Sequence, residues 1–251
     1  MLSCRDAEVA ARSLGELLDV TPSELGAVLQ GLTPHQREWE WEATPWAAVE
    51  ARLGVSPPEP PWQFVFFHAA RTLAPVSYRE RGLLPLDQAL PLVLADLRGL
   101  LPAVTDAEWS HFAEEIDGGR AIAAIRQRLD NCQHRGPFGY LVREIAVDPP
   151  DSDWPYTQCP ETVSDLIDHS PQGWNLRARY ENSAVPTIVH FAGLVTDVGY
   201  LASLAEYIWC RLHQEPVIDL TDAFWTCGTP VPPADILEVE LLAIAQKAED
   251  G

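Results

Sequence analysis

Ser56-Pro57-Pro58-Glu59-Pro60-Pro61 places four prolines within six residues, and this tract limits the backbone more than any other part of the chain. Proline fixes φ near −65° and removes the amide donor, so neither a helix nor an inner strand runs through such a tract. It reads as an extended linker and as a boundary. Before it, residues 1–55 form a helical N-terminal cap or interaction module; after it, residues 62–251 form an α+β domain.

The elements on either side follow from periodicity and punctuation. Helical spacing covers residues 7–18 and 23–32, with Thr21-Pro22-Ser23-Glu24 supplying an N-cap and a first-turn proline. The outline resembles a helix-turn-helix, but no Arg or Lys lies between Glu24 and Gln30 to meet phosphate or guanine. Trp39, Trp41 and Trp46 are assigned to packing the cap onto the main body. Beyond the prolines, residues 62–68 read as a buried strand, 87–101 as an amphipathic helix, and 106–115 and 120–129 as two more helices. A second strand is expected at 140–147, entered through Gly136-Pro137-Phe138-Gly139. A short helix at 160–167, a strand at 187–191, a helix at 200–212 and a strand or helix at 236–242 complete the pattern. The expected fold class is α+β: a helical cap, then a mixed domain with a small split sheet.

Composition narrows the function. The formal charge of −20 arises from 37 acidic against 17 basic side chains, and Lys247 is the single lysine. Nucleic-acid binding rests mainly on Lys and Arg neutralising phosphates, so general nucleic-acid binding is not expected. Arginine in place of lysine suggests the codon usage of a GC-rich, bacterial-type genome. An acidic surface suits a basic partner. No apolar run approaches the ~18 residues of a spanning helix, and Met1-Leu2-Ser3-Cys4-Arg5-Asp6 lacks a basic lead into a long apolar segment. A cytoplasmic protein without membrane association is expected. Five cysteines at irregular spacing do not form a disulfide framework, so reduced thiols are expected. No metal site is assigned: Cys132 and His134 have no neighbouring ligand pair, and Asp148, Asp151 and Asp153 lack the glycine and glutamate of a calcium loop. Neither a Gly-x-Ser-x-Gly elbow nor a phosphate-binding loop is present.

The run Val65-Phe66-Phe67-His68-Ala69-Ala70-Arg71 delivers an imidazole and a guanidinium to the end of an apolar strand. Such a pair can hold a ribose hydroxyl and a phosphate or carboxylate; it can equally be a core strand capped by one hydrogen bond. Over residues 64–86, the order of strand, His68, Arg71 and the turn at Gly82-Leu83-Leu84-Pro85 resembles the first block of the ADP-ribosyltransferase fold. The likeness is to the poly-ADP-ribose polymerase and diphtheria-toxin branch and to the RNA 2′-phosphotransferases. The resemblance implies NAD as substrate and transfer of ADP-ribose to an acceptor. By order and type it implies His68 and Arg71 as ligand anchors, Tyr140 as the platform for nicotinamide, and Glu240 or Glu238 as the catalytic acid. The family's first triplet is His-Gly-Thr or similar, whereas this chain has His68-Ala69-Ala70, which implies an altered or inactive site. A second reading stands beside it: a non-catalytic acidic binding protein, such as an immunity protein or adaptor, for a basic protein partner.

Overall fold

The computed structural model describes residues 1–32, 44–117, 122–150 and 154–243. Trp39, Trp41, Asp151, Asp153 and Lys247 lie outside the described residues. In chain order the described elements are α1 (Ala7–Leu18), α2 (Pro22–Gln30), α3 (Pro45–Leu53), β1 (Trp62–Thr72), α4 (Ser77–Arg81), α5 (Leu86–Gly99) and α6 (Asp106–Asp117). They continue with α7 (Ala123–Asp130), α8 (Cys132–Arg135), β2 (Phe138–Tyr140), α9 (Arg143–Val147), α10 (Glu161–His169) and α11 (Gly173–Ser183). The chain closes with β3 (Val185–Val195), α12 (Gly199–His213), β4 (Ala223–Trp225) and β5 (Ile236–Leu241). The protein is mixed α+β, with one open antiparallel sheet in the order β4-β2-β1-β3-β5. No helix among the described residues is long and apolar enough to cross a membrane.

The residues group into two compact units. One comprises Met1–Phe67, Gly139–Pro150 and Phe191–Phe224; the other comprises His68–Phe138, Asp151–His190 and Trp225–Gly251. Strands β1 and β3 each carry the chain from one unit to the other, at Phe67–His68 and at His190–Phe191.

In the first unit the helix starts are set by side chains. Asp6 accepts from the Val9 amide at 2.9 Å, Thr21 and Glu24 form a reciprocal capping box, and Thr44 accepts from the Ala47 amide at 3.2 Å. Each cap satisfies amides that the first helical turn leaves open. Helix α12 packs against α1, α2 and α3. The N-terminal segment pairs with the start of β1, where Leu2 and Phe64 form a parallel bridge. The core is aromatic: the Phe66 and Phe224 rings stack 4.8 Å apart, and Phe64, Phe66 and Phe191 have no exposed surface. Full burial of a phenylalanine contributes about 1.5–3 kcal/mol, which makes this cluster the anchor of the unit.

The expected strand over 140–147 is corrected here. Strand β2 ends at Tyr140, which lies opposite Phe67 in the antiparallel register; Val142 makes only an isolated parallel bridge with Cys4, and α9 starts at Arg143. Leu141, Val142, Ile145 and Ala146 are all buried. Their spacing suits one face of a helical turn as well as a strand, and the Ala146 amide closes that turn on the Val142 carbonyl at 3.2 Å.

The second unit is built on helices. Leu97, Phe112, Ile125, Leu166, Leu176 and Tyr180 belong to one buried cluster contributed by α5, α6, α7, α10 and α11. Gly82 carries the turn after α4. Its φ is +76°, and a Cβ there would stand 1.9 Å from the Val231 carbonyl oxygen. Only glycine accepts both conditions, and the result is the Leu83–Val231 bridge. The segment 236–242 is resolved as strand β5, and α3, α11 and β4 are elements that periodicity did not reveal.

Candidate functional site

A cavity of about 250 Å³ opens at the end of β1 in the second unit, bordered by His68, Arg71, Tyr78, Arg135, Phe138 and Trp225 among others. The apolar run of β1 is buried up to Ala70 except at His68, and its last polar residues are only partly covered. His68 Nδ1 lies 2.7 Å from the Phe138 carbonyl oxygen. A carbonyl only accepts, so Nδ1 carries the proton and Nε2 of the neutral ring is an acceptor. Burial holds the His68 pKa below the usual imidazole value, against the opposing pull of the Phe138 carbonyl. The ring is therefore neutral at neutral pH.

Arg71 is fixed through α11. Its guanidinium donates to the Glu181 carbonyl, and its own carbonyl accepts from the Tyr180 hydroxyl. Its Nε is buried with no hydrogen-bond partner. Tyr78, on α4, stands edge-on to His68 with ring centroids 6.5 Å apart, and burial pushes its hydroxyl up to about 12.

The far wall comes from segments distant in sequence. Phe138 stacks on Trp225 at 4.8 Å and 23° and meets Tyr156 edge-on at 5.2 Å. Gly136 permits this approach: a Cβ there would lie 2.4 Å from the Gly228 amide nitrogen, so any side chain would push the two segments apart. The Thr226 amide then donates to the Pro137 carbonyl at 3.1 Å. Arg135, at the end of α8, also has a buried Nε without a partner.

Charge at this cavity runs against the sign of the whole chain. Arg128 is met by Glu161 and by Asp165, each at 2.8 Å. No described carboxylate stands within ion-pair distance of Arg71 or Arg135. A half-buried guanidinium with open donors attracts an anion, because desolvation is offset only by a partner of opposite charge. A second cavity of about 400 Å³ shares His68, Thr72 and Tyr78 with the first and adds Ser77, Arg81 and Asp96. Desolvation raises the Asp96 pKa, and Arg81 opposes the rise.

His68 and Arg71 thus line one cavity. Tyr140 does not: it is 6% exposed in β2 and belongs to the first unit. Glu238 and Glu240 do not line it either. They bracket buried His190, with Glu238 at 3.6 Å from Nδ1 and Glu240 at 3.0 Å from Nε2. The aromatic wall and the carboxylate at the cavity are instead Phe138, Tyr156, Trp225 and Glu161. Phe138 sits in the turn already marked by Gly136-Pro137, so a signal for it existed; nothing in sequence tied Trp225 to that turn. Among the described residues no group of three or more His, Cys, Asp or Glu is placed to hold a metal ion. Comparisons of the chain with protein-family models, with curated proteins and with solved structures find no match.

Proposed function

We propose that the chain is an ADP-ribosyltransferase-like protein whose second unit takes NAD as substrate and transfers ADP-ribose to an acceptor. The observation that carries this reading is the pair of arginines at the cavity, Arg71 and Arg135, whose charge no described carboxylate meets, beside a wall of aromatic rings. Aromatic faces suit a base or nicotinamide ring, guanidinium groups suit a diphosphate, and the acceptor Nε2 of neutral His68 suits a ribose hydroxyl. The adjoining cavity gives a dinucleotide room to extend past His68, which borders both spaces.

Transfer breaks the bond between ribose C1′ and the nicotinamide nitrogen. The ring leaves with the bonding electrons, and the acceptor bonds to C1′ and gives up its proton. Positive charge develops on the sugar, and a nearby carboxylate stabilises it. Glu161 takes that role in this reading, since it lines the cavity, where Arg128 pairs with it at 2.8 Å, and Glu238 and Glu240 do not line it.

The test is nicotinamide release from NAD, followed by chromatography, with wild type beside Glu161→Gln. Release by wild type that falls about 100-fold or more in the variant, with KM little changed, is the expected result. NAD that binds without release reduces the reading to a binding site. If NAD does not bind, the reading is overturned, and the net charge of −20 then favours the acidic protein that captures a basic partner.

A further inference from the structure

The segments that form the far wall of the first cavity each carry an exposed cysteine, Cys132 at the start of α8 and Cys227 after β4. They are held close by contacts independent of sulfur. The Thr226 amide bonds to the Pro137 carbonyl at 3.1 Å, the Cys227 amide nitrogen lies 2.9 Å from where a Gly136 Cβ would stand, and the His134 and Trp225 rings meet edge-on at 6.2 Å. Cys132 is also the largest influence on the Cys227 thiol, whose pKa it raises, as a neighbouring thiol does. Cys227 also adopts φ +50°, in the left-handed region. Glycine or asparagine is the ordinary choice there, so a thiol at that position calls for a reason beyond the turn.

We propose that Cys132 and Cys227 are a redox modification site: they form a reversible disulfide that ties the two wall segments together, with a low-molecular-weight disulfide such as oxidised glutathione as oxidant. One protein thiolate attacks the oxidant, forms a mixed disulfide and releases one reduced thiol. The second protein thiolate then attacks the mixed disulfide at the protein sulfur and releases the other. Two protein thiols are oxidised, one small disulfide is reduced to two thiols, and both protons end on the released thiols. The remaining cysteines are poor competitors. Cys4 and Cys210 are fully buried and Cys159 is half-buried, whereas Cys132 and Cys227 are exposed to a small oxidant.

The bridge does not depend on what the cavity binds. The experiment equilibrates the full chain in buffers of increasing oxidised-to-reduced glutathione and reads intact mass and cross-linked peptides. The expected product is a loss of two hydrogens with a peptide joining Cys132 to Cys227, reversed by reductant, while Cys132→Ser leaves Cys227 carrying a glutathione adduct. Wild type that accumulates glutathione adducts at both sites without the cross-link overturns the proposal. So does wild type that keeps both thiols free in buffers where the Cys132→Ser variant is modified at Cys227.

Discussion

Arg211 in the first unit and Arg135 in the second are both half-buried, and their surroundings differ in kind. The Arg211 guanidinium donates to Glu144, which also accepts from the Tyr207 hydroxyl at 2.9 Å. Its charge is met inside the unit. Arg135 and Arg71 border a cavity, and no described carboxylate meets either. The same contrast holds for aromatic rings. Phe64, Phe66 and Phe191 are sealed in the first unit, whereas Trp225 in the second is 41% exposed at the cavity wall. A buried Nε without a hydrogen-bond partner occurs in Arg211 as well as in Arg71 and Arg135; what sets the second unit apart is that the charge of its two arginines meets no described carboxylate beside a cavity, and such a cation in an acidic chain points to an anionic ligand.

The contrast can be broken most forcefully at the sealed core. Phe66→Ala is expected to cost about 3–5 kcal/mol of stability, read as a lower denaturation midpoint, while Trp225→Ala costs much less because its ring already meets solvent. Equal losses would erase the distinction between core and wall. Next in size, Arg135→Ala should weaken NAD or ADP-ribose binding by about 10- to 100-fold, the equivalent of the ~1.5–3 kcal/mol of a charge-assisted hydrogen bond. Its thermal midpoint should hold, since no internal ion pair is lost.

A smaller effect sharpens the comparison from the other side. Glu144→Gln should lower stability by about 1 kcal/mol, because the Glu144–Arg211 pair is more than a third exposed on its carboxylate side, and it should leave ligand binding unaltered. The smallest effect is a pH dependence. Burial keeps the folded His68 pKa below its unfolded value, which is about 6.5, so the unfolded chain takes up the proton first. The stability this gives is fully present above about pH 6.5 and is lost as pH falls through the folded value. His68→Gln should flatten that part of the acid limb in a series of melting curves.

How much of this was legible depends on whether a signal is local. The apolar run into His68 and Arg71 is local, and both residues reach the cavity. The helices 7–18 and 200–212 announce themselves by spacing and are found within a residue or so of it. Residues 141–146 were ambiguous because a buried turn and a buried strand both accept Leu-Val followed by Ile-Ala. Helix α11 escaped notice because it buries only Leu176 and Tyr180 while Trp174 is 88% exposed, a stripe too thin to read. Apart from the turn at Gly136-Pro137, the assembly of the far wall was invisible for another reason. Phe138, Tyr156 and Trp225 meet through tertiary packing, and the approach of Gly136 to Gly228 has no counterpart in a single sequence. Glu238 and Glu240 enter by order and type through the family resemblance, but His190, the residue they hold, sits on β3.

The measurement that bears most directly on the central claim is calorimetric titration of NAD and of ADP-ribose into wild type and into a variant carrying both Arg71→Ala and Arg135→Ala. The account predicts saturable binding to wild type that weakens as salt rises and is lost in the doubly substituted protein, whose melting temperature is close to that of wild type. Binding of equal strength to both proteins, or no heat from wild type at millimolar ligand, would contradict it.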